Sequence, residues 1–133
     1  MKKLHVHISV KDLENSTRFY SQLFGHEPTK VKPDYVKWDL DNPPVNFAIS
    51  QQDKEGLDHL GIQVDDKNAL LDLYQQADST MNQRDEQGET TCCYARSEKS
   101  WLKDPQGINW ELFHTMRDED SFYGNTPNTC CIN

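Results

Sequence analysis

The chain has 133 residues, a formal net charge of -8 and 35% hydrophobic residues, which is enough for one domain with a core of its own. Its acidic balance argues against nucleic acid or an anionic membrane as a partner. No apolar run approaches transmembrane length, and Met1-Lys2-Lys3 leads only into a short apolar stretch broken by His5 and His7, so no signal peptide is expected and a cytoplasmic location is.

Residues 4–10 alternate, with Val6, Ile8 and Val10 on one face and His5, His7 and Ser9 on the other, the pattern of a half-buried strand. Asp12 reads as a helix N-cap. Leu13, Tyr20, Leu23 and Phe24 then form the apolar stripe of a helix that stops at Gly25. Residues 29–41 fit two short strands turning near Pro33-Asp34, Asn42-Pro43-Pro44 breaks the chain, and residues 45–50 form another strand. After a polar linker, residues 51–56, the pattern restarts. His59-Leu60-Gly61-Ile62-Gln63-Val64-Asp65-Asp66 lies over His5-Val6-His7-Ile8-Ser9-Val10-Lys11-Asp12 at a constant offset of 54, and Tyr74 matches Tyr20. Leu70, Leu73, Tyr74 and Ala77 mark a second helix. Behind a turn at Asp104-Pro105-Gln106-Gly107, the strand Ile108-Asn109-Trp110-Glu111-Leu112 resembles Val45-Asn46-Phe47-Ala48-Ile49. The simplest account is an α+β chain of two strand–helix–three-strand copies, residues 1–50 and 57–115, with a polar tail at 116–133.

Strand alternation sorts the side chains. If Val6, Ile8 and Val10 pack under a helix, His5 and His7 face the other way. By the same logic His59 and Gln63, and then Asn109, Glu111 and Phe113, share that inner face. A carboxylate placed among Trp110, Leu112 and Phe113 carries a burial cost that metal coordination relieves. His26 and His114 have no equivalent in the repeat and are expected to face solvent. The four cysteines form two adjacent pairs, Cys92-Cys93 and Cys130-Cys131. A bridge between neighbours closes a small, strained ring. Thiols or metal ligands are therefore expected in a reducing compartment, with bridges between the pairs as the alternative in an oxidising one. On a regular strand Cys92 and Cys93 point to opposite faces, so acting on one atom requires a loop, which residues 87–91 would supply. Two thiols suit a soft ligand, and the carboxylate suits a redox or Lewis-acid metal.

The repeat resembles the vicinal oxygen chelate superfamily, which includes glyoxalase I, extradiol dioxygenases and bleomycin- and fosfomycin-resistance proteins. The resemblance implies two βαβββ modules curled into one cupped mixed sheet around a metal, with ligands from the first and last strand of each module. Those positions here are His5, Ala48, His59 and Glu111. Ala48 cannot ligate. Two histidines and one carboxylate remain, a set characteristic of Fe(II) oxygenases that also fits Mn(II), Ni(II) or Zn(II). His7, beside His5, is either a supporting partner or a competing ligand.

A narrower likeness lies in Thr90-Thr91-Cys92-Cys93-Tyr94-Ala95, Trp101, Asp104-Pro105 and Trp110-Glu111, joined by Lys32-Pro33-Asp34-Tyr35, Pro43-Pro44 and Leu57-Asp58-His59. These resemble the organoarsenical carbon–arsenic lyases and cadmium-induced proteins. That resemblance implies Fe(II)- and O₂-dependent cleavage of trivalent organoarsenicals such as methylarsenite to arsenite. Cys92 and Cys93 would hold the arsenic, while His5, His59 and Glu111 would hold the metal. The rival readings are a non-catalytic binder of cadmium or arsenite and a Mn(II) thiol transferase of the fosfomycin-resistance type, which has no need of Cys92 and Cys93. Within the superfamily the modules pair in one chain or swap in a homodimer. The tail with Cys130-Cys131 is either a frayed end or a carrier of soft ions to Cys92 and Cys93.

Overall fold

In the computed structural model, which describes residues 2–80 and 82–118, each half of the chain builds the same unit. Strand β1 (Lys3–Ser9) leads to α1 (Leu13–Phe24), β2 (Lys30–Lys32), β3 (Tyr35–Asp41) and β4 (Pro44–Ser50). The second unit repeats that order as β5 (Gly56–Gln63), α2 (Lys67–Asp78), β6 (Asp85–Cys92), β7 (Ala95–Lys103) and β8 (Asn109–Asp118). The strands join in one 8-stranded cupped sheet, in the order β2-β3-β4-β1-β5-β8-β7-β6. The first and last strands of each unit run parallel, and the units meet at an antiparallel β1–β5 seam. This is the expected α+β architecture of two βαβββ modules, and here both belong to one chain. Strand β8 runs on to Asp118, into the stretch expected as tail. Residues 119–133, including Cys130 and Cys131, lie outside the described part.

The repeat is visible in the caps. Asp12 Oδ1 accepts from Asn15 N at 3.0 Å, and Asp66 Oδ1 accepts from Ala69 N at 2.8 Å, each satisfying a backbone donor that the first helical turn leaves free. Gly25 ends α1 with φ of 65°, the left-handed conformation that glycine adopts without a Cβ penalty.

The outer side of each module is its apolar core. Val6, Ile8 and Val10 pack with Leu13, Tyr20 and Phe24 of α1 against Trp38, Phe47 and Ile49. In the second module Leu70, Leu73, Tyr74 and Ala77 of α2 cover Val64 and Leu112. Leu23, expected in the α1 stripe, is 64% exposed. It lies three residues past Tyr20 and one before Phe24, and the wide ring of Phe24 already fills the space over Trp38 and Phe47. With both helices packed outside, the opposite face of the sheet is left as the lining of the cup.

Candidate metal centre

The seam brings the two modules' equivalent histidines together. In the β1–β5 register His5 lies opposite Gly61 and His7 opposite His59, while β5 and β8 pair Gly61 with Glu111. His5 Nε2 is 3.1 Å from His59 Nε2. Glu111 Oε1 lies 3.5 Å from the first and 3.4 Å from the second. All three side chains are buried. The sequence-predicted residues thus converge within one chain.

The hydrogen bonds around them decide what the convergence can hold. His5 Nδ1 donates to the Asn46 carbonyl oxygen at 3.1 Å, and His59 Nδ1 donates to the Asp58 carboxylate at 2.7 Å. Both partners are pure acceptors, so each ring keeps its proton on Nδ1 and turns the lone pair of Nε2 inward. Burial pushes His5 down to about 4, Glu111 acting in the opposite sense, which keeps the ring neutral near pH 7. With both rings neutral, two imidazole lone pairs and a carboxylate oxygen face one point with no donor between them, an arrangement that repels itself unless a cation fills it. Donors held about 2.1 Å from one ion lie about 3.0 to 3.4 Å apart across right or tetrahedral angles. The observed separations match, and the outer partners on both Nδ1 atoms are those that orient ligating histidines. The residues present fit a divalent metal.

Lys99 was not foreseen. It is buried on β7, and its Nζ pairs with Glu111 Oε2, leaving Oε1 for the histidines. Burial alone would raise the Glu111 carboxyl, but the Lys99 cation holds it well below the usual carboxylate range. The run Ser97-Glu98-Lys99-Ser100-Trp101 is buried on both faces, so it shows no alternation by which a lysine could be read as interior. Asp58, next to His59, carried a signal that adjacency alone makes legible. Trp101 and Phe113 close the sides, with ring centroids 5.0 Å from His59 and 5.3 Å from His5.

His7 is 1% exposed. It offers a ring nitrogen that lies, with those of His5 and His59, in a group spanning no more than 4.8 Å. His114 is not the solvent-facing residue expected: its side chain is largely buried, with Nε2 3.7 Å from Glu98. His26 is exposed, as expected.

The cysteine pair sits at the rim. Residues 87–91 are strand rather than the expected loop, because Glu89, Thr90 and Thr91 pair with Glu98, Ser97 and Arg96 across a hairpin. The reversal comes later. Cys92 pairs with Ala95, and the two residues between them, Cys93 and Tyr94, have φ of 53° and 62°, the signature of a tight type I′ turn. That turn swings Cys93 round, so the sulfurs stand 3.2 Å apart, too far for a bond to each other. Cys92 is disulfide-bonded, while Cys93 is not. A bridge at Cys92 was among the alternatives that the sequence left open. The first module holds the turn in place: Lys30 Nζ donates to the Tyr94 carbonyl at 3.0 Å, and the Tyr94 hydroxyl donates to Asp34. Burial, then Asp34, pushes that phenol up to about 12. Cys92 and Cys93 line the same small cavity, about 40 Å³, as His5, Lys99 and Glu111. Larger clefts beside α1 and α2, about 960 Å³ and 590 Å³, hold no cluster of potential metal ligands among the described residues. No described helix is long and apolar enough to cross a membrane.

Known proteins resemble this chain in sequence and in fold. A trivalent organoarsenical cleaving enzyme of Bacillus sp. strain MD1 is 42% identical, with 100% of this chain and 84% of that protein covered. The cadmium-induced protein CadI of Mycobacterium bovis is 32% identical over 92% of this chain and 82% of its own length. The Mn(II)-bound glyoxalase of Novosphingobium aromaticivorans superposes with a TM-score of 0.63 at 14% identity, covering 91% of this chain and 43% of that one; at that identity the likeness speaks for the fold. The description Glyoxalase/Bleomycin resistance protein/Dioxygenase superfamily matches residues 3–112, and the chain belongs to that superfamily.

Proposed function

We propose that this protein cleaves the carbon–arsenic bond of trivalent organoarsenicals such as methylarsenite, with Fe(II) held by His5, His59 and Glu111 and with O₂ as co-substrate, one oxygen atom going to arsenic as arsenite and the other to the methyl carbon, which leaves as formaldehyde. One observation carries the reading: of three converging side chains, His5, His59 and Glu111, two (His5 and Glu111) line the same cavity as two sulfurs 3.2 Å apart. A hard-to-borderline metal set beside a soft-atom trap calls for a substrate with one thiophilic atom and one bond to be broken near the metal. The relatives named as trivalent organoarsenical cleaving enzymes support arsenic as that atom. When bound, Fe(II) supplies the redox chemistry with O₂ that a thiol pair lacks.

The chain's own residues do the rest. Cys92 and Cys93 each exchange a sulfur for a hydroxyl on arsenic, releasing two waters and leaving the organic group as the third substituent. Both must be thiols for this, so the working form is the one with the Cys92 bridge reduced. Lys99 holds Glu111 Oε2 and fixes which oxygen meets the metal. Trp101 and Phe113 wall the histidines and limit water.

The test is an anaerobic load with Fe(II) of the reduced protein, addition of methylarsenite, admission of air, and separation of the arsenic species. Arsenite is expected only with both Fe(II) and O₂. Cys92→Ala keeps the iron and loses turnover, whereas Glu111→Ala loses both. Methylarsenite recovered intact at one per cysteine pair would instead establish a soft-ion binder, the reading favoured by the likeness to the cadmium-induced protein. Glu111→Ala holding iron as tightly as the parent would refute the ligand assignment.

A further inference from the structure

The two modules do not contribute equally, and the difference follows a rule. At the repeat offset His7 occupies the place of Gly61, and in the matching last strands of the two modules Ala48 stands where Glu111 does. The registers confirm the equivalence: β1 pairs His7 with Ala48 as β5 pairs Gly61 with Glu111. In the second module the carboxylate needs the glycine beside it, because a Cβ on Gly61 would lie 2.6 Å from the Glu111 carbonyl oxygen and 3.3 Å from its Cβ. In the first module the exchange is reversed. Ala48 gives up its side chain, and the neighbouring strand supplies an imidazole.

That imidazole is half satisfied. His7 Nε2 meets Ser50 Oγ at 2.7 Å, and Ser50 Oγ also accepts from Gln52 Nε2 at 3.1 Å. His7 Nδ1 is buried and has no hydrogen-bond partner among the described residues. Leaving such a group unpaired is destabilising, because its lost hydration is not replaced. The ring stands beside the other two, with centroids 4.9 Å from His59 and 6.2 Å from His5. One nitrogen tied to an outer partner and the other left over is how ligating histidines are held.

We propose that His7 is a fourth protein ligand to the same ion, binding through Nδ1 while Nε2–H donates to Ser50, and so replaces the ligand that Ala48 cannot provide. The inference rests on the metal centre of His5, His59 and Glu111, but not on its reaction.

X-ray absorption of the reduced, Fe(II)-loaded full chain counts its imidazoles without any mutation. Three supports the proposal; two overturns it and assigns His7 Nδ1 to a buried water instead. Anaerobic titration then compares His7→Phe, which keeps a ring and removes its nitrogens, with His7→Gln. Both should bind Fe(II) about 10-fold to 100-fold more weakly, with the near-ultraviolet dichroism of the parent retained. Unchanged affinity in either folded variant overturns the proposal. Failure of the parent chain itself to bind Fe(II) overturns the underlying centre as well, so the two failures are told apart.

Discussion

At the scale of single residues, the centre is defined by which atoms are already engaged. Asn46 and Asp58 occupy the outer nitrogens of His5 and His59, and Lys99 occupies the outer oxygen of Glu111. What remains free points at one place. Lys99 also neutralises a buried carboxylate, so its removal has a cost that depends on the metal. Lys99→Met is expected to destabilise the metal-free protein by about 3 kcal/mol, the usual effect of leaving one partner of a buried ion pair alone. Adding a divalent ion should recover much of that loss, since the ion supplies the missing positive charge. Denaturant melts with and without metal check this, and an equal loss in both conditions would contradict it. Residues of this kind divide what the sequence reveals from what it hides. His5, His59 and Glu111 could be read because the repeat placed them on one face of strands with clear alternation. Lys99 could not, because the middle of its strand is buried on both faces and its neighbours Ser97, Glu98 and Ser100 are polar. The bond between Asn46 and His5 depends on a carbonyl, to which side-chain identity is blind.

At the scale of elements, strands were legible where apolar residues alternate, and the hairpin was not. Val6, Ile8 and Val10 announce β1, and Leu70, Leu73, Tyr74 and Ala77 announce α2. By contrast Gln87-Gly88-Glu89-Thr90-Thr91 is polar and reads as loop, yet β7 pairs with it; cross-strand hydrogen bonding overrode local propensity. The close approach of β5 to β8 makes a sharper prediction. In Gly61→Ala the new methyl meets the backbone of Glu111, which cannot swing away as a side chain could, and also lies 3.2 Å from His5 Cδ2. Divalent metal affinity should fall more than about 10-fold, as it does when the supports of a ligand are disturbed, while the fold persists because α2 and its apolar contacts are untouched. Equilibrium metal titration beside a thermal melt decides the matter. Wild-type affinity would show that the strands separate without moving the carboxylate.

At the scale of the whole molecule, the metal would bind across a seam. His5 comes from one module and His59 and Glu111 from the other, so an ion held by all three binds the folded pair and has no equivalent in the unfolded chain. With metal at about 100 times its dissociation constant, stability should rise by about 2.7 kcal/mol and Tm by on the order of 10 °C. Oxygen-free calorimetry with Fe(II), reversed by a chelator, measures it. The same shift in Glu111→Ala would mean that the ion binds elsewhere. Pairing within one chain or between two was an open choice in the sequence, because a polar linker at 51–56 permits either arrangement; in the structure β1 pairs with β5 of the same chain.

The tight turn at Cys93-Tyr94 has a consequence for comparing chains of this type. The sulfurs meet because the reversal is two residues long and both residues take left-handed backbone angles. One inserted residue would rotate Cys93 away from Cys92 while leaving the cysteine doublet intact on paper. A doublet is therefore a poor marker of arsenic capture. Loop length, counted from the last paired residue on each side, is the character to score when sorting homologues, and a gap in that column outweighs several identities elsewhere.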